Sequence, residues 1–398
     1  MKKKPAYEVC VIGGLGHVGL PLGLSLAAAG KRVVLYDINE KAVETVSAGT
    51  VPFIEHGAEP VLRQVLGKTL SISSDRKVIS QSHFVVVVIG TPVDEHLNPE
   101  FGMFRRFFDG ILDQVRDGQH ILLRSTVFPG TTEWIHNYLQ TMGRDVRVSF
   151  CPERIAQGEA MAELSTLPQI VSAFDDRSRQ EAAELFGSLT KDIIFLSPLE
   201  AELAKLFTNV WRYIQFAIAN QFFQIASHQG LDFYKIYNAI TYKYPRASHF
   251  PKAGFAAGPC LFKDTMQLAS FSNNSFFLGH AAMLVNEGMP NHIVSTLKIK
   301  YPLKQKTVGI LGMAFKPNND DKRNSLAYKL KKLLELEAKS VLCTDVYIKE
   351  PHFVTPQELV RKSDLIIVGS PHREYKTLRI PKSKPVADVW DFLGRSVI

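Results

Sequence analysis

The chain contains few cysteines, and they lie far apart. Its 398 residues include only Cys10, Cys151, Cys260 and Cys343, with no C-x-x-C pair and no Cys/His cluster at zinc-binding spacing. A disulfide framework and a structural zinc site are therefore excluded as organising features. We expect four reduced thiols, a cytoplasmic protein and no bound metal.

The chain also lacks a long apolar run without interruption. Residues 9–30 carry no charge and are numerous enough to cross a bilayer, but several glycines and Pro21 interrupt them. A strand, a tight turn and a helix explain this composition better than a membrane span. Because no A-x-A-like cleavage site precedes a mature domain, we also predict no secretory signal.

Acidic residues are outnumbered by basic ones, 39 to 47, which gives a formal net charge of +8. Part of the excess lies in short tracts at Lys2–Lys4, Lys298–Lys306, Lys329–Lys332 and Arg361–Lys362. Such tracts are usually solvated surface, although they can attract an anionic ligand such as a diphosphate. Since no nucleic-acid-binding motif accompanies them, we expect no nucleic-acid partner.

Length and strand pattern predict an α/β protein of two or three domains. In the first half, apolar β-branched runs alternate with helical stretches, as in a doubly wound fold whose parallel sheet is covered on both faces. The predicted strands there are Glu8–Ile12, Arg32–Tyr36, Phe84–Ile89, Ile121–Arg124 and Val146–Phe150. After Pro302 the alternation returns and predicts a second, smaller Rossmann-like α/β domain. Its predicted strands are Lys306–Leu311, Ser340–Asp345, Asp364–Ser370 and Pro385–Asp388.

A long helix is predicted between these two parts. From Leu199 up to Gly230 the chain has no proline or glycine, and apolar residues recur at helical spacing. The aromatic residues of this segment are too many for one exposed face. Core packing and a subunit interface explain them equally well, and the second explanation predicts a homodimer.

The segment Gly14–Gly19 has the sequence G-L-G-H-V-G and lies between a predicted strand and a predicted helix. In the G-x-G-x-x-G fingerprint, Gly14 permits the tight turn and Gly16 lets a pyrophosphate approach the helix N-terminus, while Gly19 allows close helix–strand packing. Asp37 ends the next strand, where its carboxylate can bind an adenosine ribose and repel a 2′-phosphate. We predict NAD, with a flavin site or a purely structural loop as the alternative.

Six further segments point to one family when they are taken together and in order. They are Ser125–Thr131 (STVFPGT), Cys151–Arg154 (CPER), Leu203–Asn209 (LAKLFTN), Gly258–Asp264 (GPCLFKD), Gly312–Pro317 (GMAFKP) and Asp320–Ser325 (DDKRNS). Along nearly the whole chain, this set resembles the UDP-glucose/GDP-mannose dehydrogenase family. The resemblance implies an NAD-dependent, four-electron oxidation of the C6 hydroxyl of a nucleotide sugar to a carboxylate. It also implies three parts: an NAD-binding domain at 1–197, a central helical dimerisation domain at 198–301 and a UDP-binding domain at 302–398.

The conversion of an alcohol to an acid removes two hydrides, and the aldehyde between these steps must be retained. A thiolate can add to the aldehyde as a thiohemiacetal, and loss of the second hydride then leaves a thioester for hydrolysis. The resemblance implies that Cys260 is this nucleophile, whereas a buried, inert cysteine is the alternative. Lys263 is near in sequence and could lower the pKa of the thiol.

Lys205 and Asn209 are four residues apart and share one face of the predicted helix. The resemblance implies that both stabilise negative charge on the reacting oxygen; a surface lysine beside an unrelated asparagine is the alternative. It implies that Asp264 and Thr126 hold or activate water, and that Glu153 is the general acid/base of thioester hydrolysis. An exposed Asp264 that caps the following helix is the other interpretation.

The resemblance also implies sets of binding residues. Those for the cofactor are Gly14, Gly16, His17, Val18, Gly19, Asp37, Thr91, Thr126 and Lys263. Those for the substrate are Arg154, Lys205, Asn209, Arg246, Lys252, Phe315, Lys316 and Arg323. Within the substrate set, Arg246 is expected to reach the substrate of the neighbouring subunit, and Lys252 and Lys316 are expected to meet the diphosphate.

Departures from the family pattern affect the prediction of which sugar the protein oxidises. The loop before the cysteine is usually glycine-rich, but here it contains Ala256 and Ala257, and alanine does not take positive φ as glycine does. Gln157 stands where some members carry a carboxylate. Cys151–Arg154 resembles the UDP-N-acetylhexosamine branch, which includes enzymes for UDP-N-acetylmannosamine. Arg124–Thr131 is closer to GDP-mannose and UDP-glucose members.

We therefore predict oxidation of a UDP-N-acetylhexosamine or of UDP-glucose, to supply a precursor of surface polysaccharide. Two other functions stay open at this stage. One is a two-electron dehydrogenase of the hydroxyacid type, which also places a lysine and an asparagine on a helix but needs no thiol. The other is a catalytically inactive NAD-binding dimer.

Overall fold

The structure is a computed structural model that describes residues 5–94, 100 and 102–398. All predicted site residues lie in these ranges, whereas the basic tract Lys2–Lys4 lies outside them. The strands are β1 (Tyr7–Ile12), β2 (Val33–Tyr36), β3 (Leu70–Ser73), β4 (Ser82–Val87), β5 (His120–Leu123), β6 (Arg147–Phe150), β7 (Gln169–Ala173), β8 (Ile193–Leu196), β9 (Thr307–Leu311), β10 (Ser340–Thr344), β11 (Leu365–Val368) and β12 (Val386–Ala387).

The α-helices are α1 (Gly19–Ala28), α2 (Glu40–Ser47), α3 (Ala58–Val65), α4 (Gly102–Ile111), α5 (Thr131–Thr141), α6 (Ala160–Thr166), α7 (Asp176–Gly187), α8 (Pro198–His228), α9 (Phe233–Thr241), α10 (Leu261–Phe271), α11 (Phe277–Lys300), α12 (Leu326–Glu337) and α13 (Pro356–Lys362). Among the described residues, no helix combines the length and the apolarity that a bilayer crossing requires. The described chain divides into two compact units, Met1–Phe207 and Thr208–Ile398.

The first unit is built around an eight-stranded sheet in the order β3-β2-β1-β4-β5-β6-β7-β8. All neighbouring strands are parallel except β6 and β7, which are antiparallel. Alternate residues of β1 enter different cores: Val9 and Val11 pack in one cluster, and Cys10 and Ile12 in another. Since successive side chains of a strand point to opposite faces, the sheet is covered on both sides. The predicted doubly wound fold is confirmed.

The second unit contains a four-stranded, all-parallel sheet in the order β10-β9-β11-β12. One apolar cluster joins Phe223 of α8 and Ile293 of α11 to Val308 of β9 and Leu330 of α12. The helices and the second sheet therefore share a hydrophobic core, which explains why they form one compact unit. The predicted smaller α/β domain is confirmed as part of this unit.

The long helix predicted from Leu199 is present as α8. Its aromatic residues fall into two groups: Tyr213 and Phe223 are buried, whereas Trp211 and Phe222 are exposed. Core packing therefore explains the first group.

Candidate active site

The glycine-rich segment turns from β1 into α1. Gly13 has φ +71°, and a Cβ atom there would lie 1.9 Å from the Val88 carbonyl oxygen, so only glycine fits. Gly13 and Gly14 both lie in the tight turn, and a Cβ atom at Gly14 would lie 2.7 Å from the Val11 carbonyl oxygen. At Gly16, a Cβ atom would meet only the Gly13 carbonyl oxygen, at 3.8 Å. This position is consequently open to an approaching pyrophosphate, as the fingerprint requires.

The start of α1 carries no side-chain cap. Val18 is the N-cap residue and makes no side-chain capping bond, and the first turn of α1 contains no acidic residue. Beside it, the His17 ring lies 4.0 Å from the Phe53 ring, measured between centroids. A helix N-terminus without a competing carboxylate favours a bound phosphate, because its N–H groups and dipole are both positive.

Asp37 follows β2 and is held beside the glycine loop. Its Oδ2 accepts a hydrogen bond from the Leu15 N–H at 3.1 Å, and its Oδ1 accepts one from the Asn39 N–H at 3.0 Å. The oriented carboxylate keeps lone pairs for ribose hydroxyls and would repel a 2′-phosphate. The glycine loop, the start of α1 and Asp37 thus fit NAD. The next residue, Ile38, is an apolar side chain that is 83% exposed beside this carboxylate, and it was not predicted as a site residue.

Two predicted polar residues follow neighbouring strands of the first sheet, Thr91 after β4 and Thr126 after β5. Ser125 joins these segments, because its Oγ donates to the Ile89 carbonyl oxygen at 2.7 Å and accepts from the Ile89 N–H at 2.8 Å. Both threonines are partly buried. They lie beyond the carboxyl ends of parallel strands, which is where ligands bind in doubly wound folds.

Glu153 takes part in a buried ion pair with Arg124. Its other oxygen, Oε1, accepts the backbone N–H groups of Arg154 at 2.6 Å and Ile155 at 3.0 Å. Arg124 also donates to the Cys151 carbonyl oxygen at 3.0 Å. Both carboxylate oxygens of Glu153 are therefore engaged within the first unit. Arg124 was not predicted as a site residue, because its partner is 29 residues away in the chain.

Glu202 connects the segment after Thr126 to the start of α8. This buried carboxylate accepts the Gly130 N–H at 2.6 Å, the Thr132 N–H at 2.8 Å and the Thr132 hydroxyl at 2.5 Å. Burial raises the pKa of Glu202, although the three donors oppose the shift. One turn further along α8, Lys205 is only 9% exposed, which excludes the alternative of a surface lysine.

Cys260 is exposed and forms the N-cap of α10. Within the second unit, the neighbouring Asp264 is 0% exposed; its Oδ2 accepts the Asn209 amide at 2.5 Å, and its Oδ1 lies 3.2 Å from Lys263 Nζ. A buried, inert Cys260 and an exposed, helix-capping Asp264 are both excluded by these observations. The structure thus brings Asn209, Lys263 and Asp264 together at the start of α10.

The loop before Cys260 keeps glycine where the backbone requires it. Gly258 has φ +103°, and a Cβ atom there would lie 2.6 Å from the Phe315 ring. Ala256 and Ala257 are not among the described residues with positive φ. The replacement of glycine by these alanines therefore introduces no left-handed strain.

The segment 312–325 between β9 and α12 is called the nucleotide loop here. Its Arg323 forms a bidentate pair with the buried Asp321, with Nη2 at 2.6 Å from Oδ2 and Nε at 3.0 Å from both oxygens. These bonds raise the pKa of Arg323, and the negative charge of a Cys260 thiolate adds to the effect. The same attraction stabilises the thiolate. Phe315 and Arg323 therefore lie close to the Cys260 loop.

The four other predicted substrate residues lie at separate places in the two units. Lys252 pairs with Asp391 at 3.1 Å, and Arg246 is exposed on a short 3-10 helix. Lys316 Nζ lies 5.9 Å from the centroid of the ring of its neighbour Phe315, and Arg154 donates to a backbone carbonyl oxygen in its own unit. Their roles in substrate binding stay predictions.

The fold, the glycine loop and Asp37 define a dinucleotide-binding protein of the doubly wound α/β class. Three models of one family match the sequence: the NAD binding domain at residues 7–190, the central domain at 199–287 and the UDP binding domain at 309–395. The chain belongs to the UDP-glucose/GDP-mannose dehydrogenase family and is an NAD-dependent nucleotide-sugar dehydrogenase.

Individual relatives match over almost their full length. The UDP-N-acetyl-D-mannosamine dehydrogenase of Pyrococcus horikoshii is 28% identical, over 96% of this chain and 92% of the relative. The solved structure of the UDP-D-ManNAc dehydrogenase from this organism covers 98% of this chain and 97% of its own, with a TM-score of 0.90 and 26% identity. A UDP-glucose dehydrogenase structure from Pyrobaculum islandicum covers 100% of this chain and 98% of its own, with a TM-score of 0.89 and 25% identity.

Proposed function

We propose that this protein oxidises the C6 hydroxyl of UDP-N-acetylmannosamine to a carboxylate. Relatives named for this sugar match almost the entire chain, and the Cys151–Arg154 motif resembles the same branch. The observation that carries the four-electron chemistry is the exposed thiol of Cys260 at the start of α10, next to the buried Asp264. A two-electron dehydrogenase has no use for such a thiol.

In the first oxidation, Lys205 and Asn209 stabilise the C6 oxygen as negative charge develops on it. Asn209 is held by Asp264 through one amide hydrogen, so the second hydrogen of that amide remains to donate to the substrate. When bound, NAD would supply the hydride acceptor, with one NAD for each of the two oxidation steps. Donors that are oriented before the reaction stabilise the transition state without a reorganisation cost.

In the second oxidation, the Cys260 thiolate adds to the C6 aldehyde, and a C–S bond and an oxyanion form. Loss of hydride restores the carbonyl group as a thioester. Water then attacks this carbonyl carbon, the C–S bond breaks, and the thiolate leaves with the uronate as the other product. Arg323 and the N-terminus of α10 stabilise the thiolate in its role as nucleophile and leaving group.

For hydrolysis, we propose that Glu153 orients the reacting groups through a fixed carboxylate. Its ion pair with Arg124 and its two backbone hydrogen bonds support this role. Thr126, at the carboxyl end of the same sheet, and Asp264 contribute hydrogen bonds to water. The general acid/base role that the resemblance implies for Glu153 stays a prediction.

The test measures NADH formed per molecule of UDP-N-acetylmannosamine consumed, with mass spectrometry of the product. We expect two NADH per sugar and a uronate, and slower turnover with UDP-glucose. One NADH per sugar would support the two-electron alternative. NAD binding without reduction on any UDP- or GDP-sugar would support the inactive dimer.

We also propose that a second copy of the chain covers an exposed apolar stripe on α8. Trp211, Ile218, Phe222 and Ile225 are each 40 to 59% exposed, and their spacings of 7, 4 and 3 residues place them on one helix face. A contiguous apolar surface of this kind marks an interaction site. Because this periodicity suits an identical helix, we propose a homodimer. A cytoplasmic location and a role in polysaccharide precursor synthesis stay predictions from the sequence.

A further inference from the structure

We propose that His372 is a positioning residue for the nucleotide sugar, because it fixes the nucleotide loop through a hydrogen bond at each ring nitrogen. This inference rests on the proposed function, since it assumes that Phe315, Lys316 and Arg323 of that loop bind the UDP part of the substrate. His372 lies after β11 and is 0% exposed.

The two hydrogen bonds of His372 define its protonation. Nδ1 lies 2.9 Å from the backbone nitrogen of Asn318, and Nε2 lies 3.0 Å from Asp345 Oδ2. A backbone N–H can only donate, so Nδ1 must present its lone pair. The single ring hydrogen is therefore on Nε2 and is donated to Asp345. His372 is neutral, with a fixed tautomer.

Asn318 is the point at which His372 holds the middle of the nucleotide loop. This residue lies two positions after Lys316 and has φ +53°, a conformation that asparagine tolerates better than most residues. Its backbone N–H donates to His372, and its side-chain Oδ1 accepts the N–H of Arg373 at 3.0 Å. Both bonds tie the loop to the segment that follows β11.

Asp345 holds the beginning of the same loop. It follows β10, as Asp37 follows β2, and its buried Oδ2 accepts the N–H groups of Met313 at 2.6 Å and Ala314 at 3.0 Å. The position of Asp345 could have been predicted from the sequence, because an aspartate directly follows both β2 and β10. His372 thus joins the two anchors of the loop, one at its start and one at Asn318.

Two aromatic neighbours fix the orientation of the His372 ring. Tyr347 and Tyr375 meet it edge to face, with centroids 5.0 and 5.5 Å away. With the ring plane held, its two nitrogens have defined directions. The loop residues between the anchors, including Phe315 and Lys316, therefore start from one backbone conformation, which lowers the entropy cost of binding a nucleotide.

Two amide substitutions test the two hydrogen bonds of His372 one at a time. In His372→Gln, the amide reaches the position of Nε2 and can donate to Asp345, but the acceptor for the Asn318 N–H is lost. In His372→Asn, the amide oxygen takes the position of Nδ1 and keeps that acceptor, but the reach to Asp345 is lost. The exposed His352, changed to Gln, is the matched control in the same unit.

UDP is the probe, and calorimetry on the full-length protein measures its Kd beside that of NAD. We expect His372→Gln to weaken UDP binding about tenfold, because a donor in the loop is left unpaired. The Kd of NAD should change less than about twofold. At saturating nucleotide sugar, kcat should equal that of the wild type, whereas the KM for the sugar should rise. His372→Asn should show a smaller loss, and His352→Gln none.

The outcomes separate this inference from the proposed function. If wild type binds UDP and both His372 variants bind it equally well, the positioning role is wrong while the proposed function stands. If wild type does not bind UDP, both fail. If the His372 variants do not fold, amide hydrogen exchange on the wild-type protein replaces them, because the Asn318 N–H that donates to His372 Nδ1 should be protected. Fast exchange of this N–H in a protein that still binds UDP would also reject the inference.

Discussion

The amide nitrogen of Asn209 and the carboxylate of Asp264 lie 2.5 Å apart, and both side chains are buried in the second unit. This bond orients an amide that would otherwise rotate. In Asp264→Asn, the acceptor is replaced by a group that also carries donors, so the amide of Asn209 loses its fixed direction. We expect kcat to fall by about 100-fold with the Kd of NAD unchanged. Steady-state kinetics and NAD titration check this, and Gln221→Ala, at an exposed position on α8, is the control. A variant with wild-type kcat would remove the pair from the mechanism.

Lys205 gives a second prediction. Lys205→Ala deletes the cation that we assign to the reacting oxygen, so kcat should fall by about 100-fold or more. Lys191→Ala, at an exposed position of the same unit, should keep wild-type rates. Comparable kinetics in the two variants would contradict the assignment.

The cysteines give a third prediction. Burial raises the pKa of Cys10, Cys151 and Cys343 to about 12 each, whereas Cys260 is exposed. Because the thiolate is the reactive form, iodoacetamide should modify Cys260 first and abolish turnover. Peptide mass spectrometry locates the modified residue.

The substitution Cys260→Ser tests the same thiol without a reagent. This variant should bind NAD and UDP-sugar but stall at the aldehyde or ester stage, without uronate. Cys343→Ser is the control and should still form uronate. Uronate production at the wild-type rate by Cys260→Ser would show that the thiol is dispensable.

Asp345 gives a prediction on acid stability. Burial acts to raise its pKa, but the hydrogen bond from His372 and those from backbone N–H groups outweigh it, so the pKa is lowered in the folded state. The stabilisation is therefore complete above the unfolded value of about 4 and is lost as the pH falls through the lower folded value. Urea unfolding at several pH values should show a lower free energy of unfolding for Asp345→Asn than for the wild type at neutral pH. On acidification, this free energy should fall less in the variant than in the wild type. Asp176→Asn, at an exposed position, should parallel wild type.

The apolar stripe on α8 gives a prediction on assembly. Phe222→Glu places a charge in the middle of the stripe, and burying that charge without a partner is unfavourable. We expect the mass in solution, measured by light scattering, to fall from dimer to monomer. Lys235→Glu, at an exposed position on α9, is the control for added charge. A monomeric wild type would reject the homodimer.

The strands that the sequence predicts are those in which apolar, β-branched residues run together, such as Val33–Tyr36 and Leu365–Val368. Leu70–Ser73 was not predicted, because its LSIS sequence is short and polar at every second position and the strand lies at the edge of its sheet. Gln169–Ala173 and Ile193–Leu196 were not predicted either, although the second has the apolar sequence IIFL. A short run of this kind becomes a strand only when a neighbouring strand pairs with it.

The site was predictable where its chemistry lies in a continuous motif, as in Gly14–Gly19 and around Cys260. The residues that position these motifs were not. Arg124 and Glu153 are 29 positions apart, and Glu202 caps a segment 70 residues earlier. Even the turn at Gly13 depends on the approach of Val88 from β4, which no local pattern specifies. Long-range pairs of this kind exist only once the sheet has formed.

The contact between Gly258 and the ring of Phe315 has a consequence for substrate choice. No side chain fits between the backbone next to the thiol and the aromatic ring on the nucleotide loop. A bound nucleotide that displaced this ring would therefore also displace the backbone two residues before Cys260. A sugar phosphate without its uridine should accordingly lose reactivity as well as affinity, since the anchoring end of the molecule helps to align the distant carbon that reacts.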